Sequence, residues 1–298
     1  MQTIAFIGLG NMGGGMAANQ VKAGRTVRAF DLSDRALAKA SDAGCMACSS
    51  AAEAVEGADA VITMLPAGKH VLSLYEQDIL PMAAADALLV DCSTIDVESA
   101  RKAASLAQAA GKGFRTADAP VSGGTAAADA GTLAFMVGCD EADFADVETA
   151  LAPMRRVTIH AGNSGAGQAA KICNNMLLGI SMIGTCEAFA LADRLGLSAE
   201  RFFEISSQSS GQNWSMTSYC PVEGVGPASP ADRNFEGGFA TDMMLKDLRL
   251  AKEAAMTSGA VTPMGGHAEA LYALLSEQGL GHKDFSSVIE LLSKGRVK

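Results

Sequence analysis

A glycine-rich turn directly follows the first hydrophobic segment of this chain. The segment Thr3-Ile7 predicts a buried strand, which runs into Gly8-Leu9-Gly10-Asn11-Met12-Gly13 and then into an alanine-rich helix from Gly14 to Ala23. In such a context the first glycine permits a tight turn, the second lets the backbone approach a pyrophosphate, and the third lets the helix pack closely on the strand. The helix N-terminus also favours an anion. The pattern therefore predicts a dinucleotide-binding βαβ unit.

The second predicted strand ends in an acidic residue. This strand covers Thr26-Asp31, and Asp31 lies at the distance from the glycine turn at which a carboxylate accepts hydrogen bonds from the adenosine ribose. Asp31 would repel a 2'-phosphate, and neither Leu32 nor Ser33 supplies a cation to offset that repulsion. NAD is therefore favoured over NADP. The alternative interpretation is that Asp31 is an ordinary surface residue.

The composition excludes several classes of protein. The 298 residues exceed the usual size of one domain and 49% of them are hydrophobic, so we expect two folded domains. The formal net charge is -10 and no run of Lys or Arg forms a basic patch, which argues against nucleic acid as a partner. The N-terminal stretch has the features of neither a signal peptide nor a transit peptide, so we expect a cytoplasmic protein.

The seven cysteines are odd in number and scattered along the chain. This distribution is typical of reduced thiols rather than of a disulfide framework. Cys45 and Cys48 have the spacing of metal ligands, but no second pair and no histidine cluster completes a set of four. The pair follows an Ala-Gly step that is typical of a helix-to-strand turn. We therefore expect no metal site.

Short hydrophobic runs alternate with alanine-rich helical segments in the first half of the chain. The runs that predict strands are Thr3-Ile7, Thr26-Asp31, Asp59-Leu65, Ala87-Cys92, Arg115-Ala119, Leu133-Val137 and Arg156-His160. This alternation indicates βαβ units and a mainly parallel sheet. The pattern becomes helical near residue 163. We therefore predict an α/β Rossmann-type dinucleotide-binding domain over residues 1-163 and an all-α domain over residues 164-298.

The second half predicts helices and one long loop. The helices are a long one that ends near Arg194 and shorter ones over Ser198-Ser207, Phe239-Ser258, Pro263-Gln278 and Phe285-Lys294. The loop Ser209-Gly238 is rich in Gly, Pro, Ser and Asn, and loops of this length often carry function.

The most apolar stretch, Ile172-Ala192, is long enough to span a bilayer. Asn174, Asn175 and Glu187 lie within it, so a helix buried between domains or subunits is favoured over a membrane span. One small domain offers little surface to cover a stretch that is apolar on nearly every face. We therefore expect a homodimer or homotetramer.

Three segments follow predicted strands at the edge where ligands bind in such sheets. They are Met64-Leu65-Pro66, Asp91-Cys92-Ser93-Thr94 and the run from Asp118 to Gly124. Thr94 either places a hydroxyl near the nicotinamide ribose or caps a helix over Asp96-Ala110. Ser122-Gly123-Gly124 either supplies backbone N–H groups that bind a small carboxylate or forms a flexible glycine turn.

Two lysines lie in otherwise apolar helical segments. Lys171 and Asn175 are four residues apart and therefore lie on one helix face. Lys171 either reaches the surface or faces a polar cavity, where desolvation and a positively charged nicotinamide would favour the neutral amine that accepts an alcohol proton. Asn175 would then hold the amine or the substrate in place. Lys246 precedes Asp247, and the simplest interpretation is that Lys246 forms a salt bridge at the surface.

These motifs together closely resemble the β-hydroxyacid dehydrogenase family, and within it the 3-hydroxyisobutyrate dehydrogenases of valine breakdown. The motifs that carry the resemblance, over almost the whole chain, are GLGNMGG at 8-14, MLPAGKHV at 64-71, DCST at 91-94, DAPVSGG at 118-124, GTLAFMVG at 131-138, GAGQAAKICNNMLLG at 165-179 and the Lys246-Asp247 segment. The chain departs from the pattern at Gly15, where these enzymes often carry proline.

The resemblance implies roles in catalysis and substrate binding. It implies that Lys171 is the catalytic acid/base and that Asn175 assists it. It also implies that Ser122-Gly123-Gly124 holds the substrate carboxylate. Trp214 and Phe239 look like substrate-pocket residues contributed by the helical domain, although a lone tryptophan is more often part of a core.

The resemblance further implies cofactor contacts at Leu65, Pro66, His70, Thr94 and Lys246. The implied reaction is the oxidation of 3-hydroxyisobutyrate to methylmalonate semialdehyde, with a hydride passing to NAD and the hydroxyl proton to a lysine. Two alternatives stay open. One is a dehydrogenase or reductase of another small 3-hydroxy acid, either L-serine or tartronate semialdehyde/glycerate. The other is a non-catalytic dinucleotide-sensing module, against which the retained lysine argues.

Overall fold

The computed structural model describes residues 1–293. Its chain divides into two compact units, Met1–Lys171 and Ile172–Lys298. The division falls within one continuous helix, Ala166–Arg194, because the first turn of this helix is bonded to the sheet of the first unit. The predicted boundary at residues 163/164 lies just before the helix begins.

Nine strands form the sheet of the first unit. They are β1 (Thr3–Ile7), β2 (Thr26–Phe30), β3 (Met46–Ala47), β4 (Ala60–Thr63), β5 (Leu88–Asp91), β6 (Arg115–Asp118), β7 (Val121–Ser122), β8 (Leu133–Gly138) and β9 (Arg155–Gly162). Their order is β3-β2-β1-β4-β5-β6-β8-β7, and β9 pairs with β8. Strands β1 to β6 pair in parallel, whereas β8 runs antiparallel to β6 and β7. The order of the first six strands confirms the predicted Rossmann-type domain.

All seven predicted strands are present, and two strands were missed. The missed strands, β3 and β7, have two residues each, which is too short for a hydrophobic alternation to show. Strand β3 lies between Cys45 and Cys48, both of which are buried, and all seven cysteines of the chain are free. Among residues 1–293, no cluster of three His, Cys, Asp or Glu side chains is arranged to hold a metal ion.

Helices cover both faces of the sheet. Those of the first unit are α1 (Gly13–Lys22), α2 (Asp34–Asp42), α3 (Ala51–Val55), α4 (Gly68–Leu74), α5 (Leu80–Met82), α6 (Val97–Ala109), α7 (Gly124–Ala130) and α8 (Phe144–Leu151). Successive residues of β1 enter different cores: Ile4 and Phe6 pack in one, and Ala5 and Ile7 in the other. Side chains alternate between the faces of a strand, so the sheet is buried on both sides, as a parallel sheet requires.

The second unit is helical, as predicted. The long helix is α9 (Ala166–Arg194), followed by α10 (Ala199–Ser206), α11 (Trp214–Thr217), α12 (Thr241–Ser258), α13 (Pro263–Leu275) and α14 (Ile289–Leu292). Phe189, Tyr272 and Phe285 lie in its core. The predicted helix Phe285-Lys294 is a 3-10 turn that continues into α14, and Lys294 lies outside the described residues.

Helix α9 is long and apolar enough to cross a membrane by length and composition alone, but 44% of its most apolar window is buried within the protein. Gln168, Lys171, Asn175 and Thr185 are polar side chains that the fold buries along this helix. A core helix of a folded domain has these properties, which agrees with the interpretation of this stretch as a buried helix.

A buried carboxylate, Asp284, contacts the long loop over residues 209–238 and the residue that follows it. Its Oδ2 accepts hydrogen bonds from the Tyr219 hydroxyl at 2.8 Å and from the Phe239 N–H at 2.7 Å. Its Oδ1 accepts bonds from the N–H and the hydroxyl of Ser286. A Cβ at Gly238 would lie 2.2 Å from Asp284 Oδ2, so only glycine allows this approach. Burial raises the pKa of Asp284.

Candidate active site

The three glycines of the first turn have different surroundings, which match their expected roles. Gly8 has φ +93°, and a Cβ there would lie 2.3 Å from the Met64 carbonyl oxygen. A Cβ at Gly13 would lie 1.9 Å from the Gly8 carbonyl oxygen, so this glycine lets α1 pack on the strand. A Cβ at Gly10, in contrast, would meet no atom within 4 Å. The open side of Gly10 is where a pyrophosphate can approach the backbone, so the turn fits a dinucleotide.

Asp31 is oriented by the glycine turn itself. Its Oδ2 accepts a hydrogen bond from the Leu9 N–H at 2.6 Å, and its Oδ1 accepts one from the Ser33 N–H at 2.8 Å. Each carboxylate oxygen has further lone pairs. The carboxylate is therefore held at the end of β2 and can still accept bonds from ribose hydroxyls. Ser33, in turn, caps α2.

The departure at Gly15 has a packing explanation. A Cβ at Gly15 would lie 2.3 Å from Asp129 Oδ1 and 3.0 Å from the Asp129 backbone nitrogen. Helix α1 therefore approaches the end of α7 so closely that a larger residue at this position would displace the side chain of Asp129 and press on its backbone. This close helix contact favours glycine here.

Polar side chains link the carboxyl ends of β4 and β5. The Ser93 hydroxyl donates to Asp91 Oδ1 at 2.6 Å and accepts a bond from the Leu65 N–H at 2.7 Å. Thr63 also donates to Asp91 Oδ1, at 2.7 Å. The structure thus brings together the segments of Leu65 and Ser93, both of which sequence reasoning had assigned to the ligand edge. Pro66 follows at the exposed surface.

His70 and Thr94 lie in the neighbouring segments. His70 is exposed on α4. The proposed cap at Thr94 is wrong: Asp96 caps α6, accepting a bond from the Ser99 N–H at 2.7 Å. Helix α6 begins at Val97, so Asp96 and not Thr94 is adjacent to its first turn. The cofactor role of Thr94 stays a prediction.

A buried aspartate at the end of β6 binds the start of α9. Asp118 accepts bonds from the Gly165 N–H at 2.6 Å and from the Gln168 N–H at 2.8 Å. Burial raises the pKa of Asp118 to about 6, and these two N–H donors oppose that rise. Carboxylates are stabilised at helix N-termini by the unpaired N–H groups there. This contact connects the strand that leads to Ser122 with the helix that carries Lys171.

The carboxylate-binding segment predicted at Ser122-Gly123-Gly124 lies where β7 ends and α7 begins. Gly123 has φ +138° and Gly124 has φ +69°, values that L-residues with a side chain rarely adopt. A Cβ at Gly123 would also lie 2.6 Å from the Ala127 Cβ, whereas the space around Gly124 is open. Both glycines are required by the backbone here, and the open side of Gly124 leaves room for a ligand.

Lys171 is buried, with 7% of its surface exposed. The interpretation in which its ammonium reaches the surface is therefore wrong. Asn175, one turn later on α9, is 2% exposed and donates a hydrogen bond to Asp247 Oδ2 at 2.5 Å. Within the second unit, this bond brings Asn175 next to the Lys246-Asp247 segment of α12. Lys246 is half-buried there.

Trp214 and Phe239 belong to one cluster of aromatic rings. Trp214 stacks on Tyr219 with 4.9 Å between ring centroids, and Tyr219 stacks on Phe285 at 5.6 Å. Phe239 contacts Phe285 edge-on at 5.8 Å. Trp214 is 50% exposed, so the alternative that it is a core residue is wrong. The cluster offers an exposed aromatic surface.

Several residues of these networks were not identified from the sequence. They are Asp118 and Gln168 in the first unit and Tyr219 and Asp284 in the second. A signal was available for Gln168, which is a polar side chain in the first turn of an apolar helix. Apart from the bonds of Asp284 to Ser286, the partners of these side chains lie 45 to 75 residues away, which no local pattern shows.

Comparison with known families covers both units. Residues 3–162 match the NAD binding domain of 6-phosphogluconate dehydrogenase. Residues 165–292 match the model described as the NAD-binding domain of NADP-dependent 3-hydroxyisobutyrate dehydrogenase.

Individual relatives match the chain over nearly its whole length. A 3-hydroxyisobutyrate dehydrogenase of Pseudomonas aeruginosa is 49% identical over 295 residues, which cover 98% of each chain. An NAD-dependent L-serine dehydrogenase of the same organism is also 49% identical, over 293 residues and 98% of each chain. The solved structure of Mycobacterium tuberculosis 3-hydroxyisobutyrate dehydrogenase with L-serine has a TM-score of 0.95 at 46% identity, covering 98% of this chain and 99% of that one.

Proposed function

Because the chain belongs to the 3-hydroxyisobutyrate dehydrogenase family of NAD-dependent enzymes, we propose that it oxidises 3-hydroxyisobutyrate to methylmalonate semialdehyde. The observation that carries this proposal is Lys171, a buried lysine in a chain 49% identical to an enzyme of that name. Burying a lysine costs free energy, so a lysine at a buried position is expected to have a function. The reaction would place the enzyme in valine catabolism.

The first unit supplies the residues that would hold NAD. The turn Gly8-Leu9-Gly10-Asn11-Met12-Gly13 would bind the pyrophosphate on its open side at Gly10, and Asp31 would accept bonds from the adenosine ribose. We assign further cofactor contacts to Leu65, Pro66, His70, Thr94 and Lys246. NAD, when bound, accepts the hydride from the carbon that carries the substrate hydroxyl.

We assign Lys171 the role of the base that accepts the proton of that hydroxyl. As the hydroxyl carbon loses its hydride, the O–H bond breaks, its electrons form the new C=O bond, and the proton passes to the Lys171 Nζ. The neutral amine is the form that accepts it. Asn175 lies one turn further along the same helix face and is oriented by its bond to Asp247. We assign Asn175 the task of holding the amine or the substrate hydroxyl.

The remaining groups of the substrate are assigned to two segments. Backbone N–H groups and the Ser122 hydroxyl in Ser122-Gly123-Gly124 would bind the carboxylate, because this loop requires glycine and has open space at Gly124. Trp214 and Phe239, whose rings belong to one aromatic cluster, would contact the substituent on the middle carbon. An aromatic surface favours a methyl group there.

The test is NADH absorbance after mixing the protein and NAD with 3-hydroxyisobutyrate, L-serine or glycerate. We expect the highest kcat/KM for 3-hydroxyisobutyrate. A hydroxyl or ammonium against an apolar surface loses hydrogen bonds to water, which costs roughly 1–3 kcal/mol, or about 10–200-fold in specificity. No turnover of any of the three acids would refute the proposed reaction.

L-Serine is the second candidate substrate. A relative named NAD-dependent L-serine dehydrogenase is as similar as the first, and the M. tuberculosis structure was solved with L-serine. L-Serine has the same three-carbon frame with an amino group in place of the methyl group. A higher kcat/KM for L-serine would assign the aromatic cluster to another role and would leave the lysine mechanism in place.

We also propose a cytoplasmic homodimer or homotetramer. Leu177 and Leu191 of α9 are 64% and 60% exposed, so this helix offers an apolar face to a second copy. The seven free cysteines are compatible with a reducing compartment. Light scattering tests the assembly, and a monodisperse species of 30.5 kDa would refute it.

A further inference from the structure

Gln168 is the polar side chain in the first turn of α9, and both atoms of its side-chain amide form hydrogen bonds. It is 0% exposed. Its Nε2 donates to the Ser93 carbonyl at 2.7 Å, and its Oε1 accepts a bond from the Ile95 N–H at 3.1 Å. The side-chain amide therefore binds the backbone on both sides of Thr94. All of these residues belong to the first unit.

We propose that Gln168 is a positioning residue for catalysis, which fixes the first turn of α9 and thereby places Lys171. The inference rests on the proposed role of Lys171 as acid/base. Lys171 is three residues after Gln168 and so lies on the next turn of the same side of the helix. The amide of Gln168 binds the loop after β5, so it sets the distance between that loop and the lysine.

A second anchor limits how this turn can move. Asp118 accepts the backbone N–H of Gln168 at 2.8 Å, so both the backbone and the side chain of Gln168 are bonded. The adjacent Gly167 is closely packed on its Cα side: a Cβ there would lie 2.3 Å from the Met136 carbonyl oxygen and 2.6 Å from the Asp118 carbonyl oxygen. The helix start is therefore held against the ends of β6 and β8. Without the side-chain amide, only the backbone anchor at Asp118 would remain.

The position of Lys171 should determine the rate of proton transfer. A reacting group that is misplaced by about 1 Å can lose about 100-fold in rate, because proton transfer requires hydrogen-bond contact. Gln168 is fully buried and bonded to backbone groups, so we assign it no contact with the substrate or the proton. If it acts through Lys171, its effect on turnover should disappear when the lysine is absent, whereas an effect through the cofactor loop at Thr94 would persist, and a double-mutant cycle separates the two.

The test uses Gln168→Met, which keeps the length of the side chain and removes both hydrogen bonds. Gln20→Met is the matched control, because Gln20 is also 0% exposed and uses both amide atoms, donating to the Ala150 carbonyl at 2.9 Å and accepting from Arg25 at 2.7 Å. Gln20 lies near the end of α1. Both variants lose two side-chain hydrogen bonds, both buried at Gln168 and one buried and one part-buried at Gln20, so a purely structural effect would be similar in the two proteins.

We measure kcat for each glutamine variant in the wild-type chain and in Lys171→Ala. We expect Gln168→Met to lower kcat by about 10- to 100-fold in the wild-type chain and by less than about threefold in Lys171→Ala. Gln20→Met should leave kcat within about threefold in both backgrounds. Hydrogen–deuterium exchange, which does not depend on activity, should show faster exchange at residues 165–171 in Gln168→Met only.

The outcomes separate the two claims. Lys171→Ala with nearly wild-type turnover refutes the proposed acid/base role before any glutamine variant is considered. If Lys171→Ala is impaired but Gln168→Met costs the same factor in both backgrounds, Gln168 acts independently of the lysine and the inference is overturned. An equal loss in Gln20→Met also overturns it. If Gln168→Met does not fold, Gln168→Asn keeps an uncharged amide on a side chain one methylene shorter, which weakens both hydrogen bonds, and is judged by the same comparison.

Discussion

Gly10→Ala adds one Cβ atom, which we expect to weaken NAD binding without reducing the free energy of unfolding. The Cβ that alanine adds would meet no protein atom within 4 Å, and Gly10 is not in the left-handed region that alanine avoids. The free energy of unfolding should therefore stay unchanged or rise by up to about 1 kcal/mol, because alanine restricts the unfolded chain more than glycine does. Gly13→Ala is the opposite case. Its Cβ would lie 1.9 Å from the Gly8 carbonyl oxygen, so that variant should lose stability.

The open side of Gly10 is the side assigned to the pyrophosphate. A methyl group there would displace the phosphate from the backbone N–H groups of the turn. One lost hydrogen bond to a charged group costs about 1.5–3 kcal/mol. This corresponds to an increase of about 10- to 150-fold in the dissociation constant for NAD.

Calorimetric titration with NAD and thermal unfolding are measured on the same preparations. Gly266→Ala is the control, because Gly266 lies in α13 and its Cβ would also meet open space. It should gain roughly 0.5–1 kcal/mol in stability without a change in NAD affinity. If Gly10→Ala binds NAD as well as the wild type does, the phosphates do not approach Gly10 and the assignment of the turn is wrong.

Three further predictions concern charged groups. NAD should bind at least about tenfold more tightly than NADP, because Asp31 accepts bonds from the ribose and repels a 2'-phosphate; equal dissociation constants in a titration would contradict this. Lys171→Ala should lower kcat by roughly 10²–10⁴ with little change in NAD affinity, and turnover within a few-fold of wild type would exclude the acid/base role. Burial raises the pKa of Asp118 from 3.8 to about 6, so its contribution stabilises the folded chain below about pH 4 and is lost as the pH rises through 6. At 1.36 kcal/mol per pKa unit, the unfolding free energy of wild type minus that of Asp118→Asn should fall by about 2 kcal/mol between pH 4 and pH 7 in urea unfolding, and a flat difference would show that the pKa of Asp118 does not change on folding.

The parts of the fold that were predicted from sequence depend on short-range patterns. The turn Gly8-Leu9-Gly10-Asn11-Met12-Gly13 has its strand and its helix within about twenty residues, and the crowding at Gly13 comes from Gly8 in the same turn, so these features follow from local spacing. The crowding at Gly8 comes from the distant Met64 carbonyl and does not. Thr94 shows where this reasoning fails. Threonine and aspartate are both good helix caps, and the choice depends on where the helix begins. Helix α6 begins at Val97, which makes Asp96 the cap.

Burial and long-range partners could not be predicted in the same way. Helical spacing places Lys171 and Asn175 on one face of α9, but it does not say whether that face is covered. In the structure Lys171 and Asn175 are 7% and 2% exposed, so that face is covered. The helix start is bonded to Asp118, and Gln168 reaches a loop 73 to 75 residues away. These bonds depend on the order of the strands in the sheet. The residues of such a hydrogen-bond network can be identified from sequence only when the order of the strands is already known.

The aromatic cluster of the second unit also depends on partners that are distant in the sequence. The resemblance implies that Trp214 and Phe239 are pocket residues of the helical domain, and in the structure they are the two ends of one chain of rings through Tyr219 and Phe285. The hydroxyl of Tyr219 and the N–H of Phe239 bind the same oxygen of Asp284. Asp284 thus supports both ends of the ring chain through one oxygen. Under the proposed function, we expect a change at Asp284 to alter the preference between a methyl and an amino substituent without any contact between this carboxylate and the substrate.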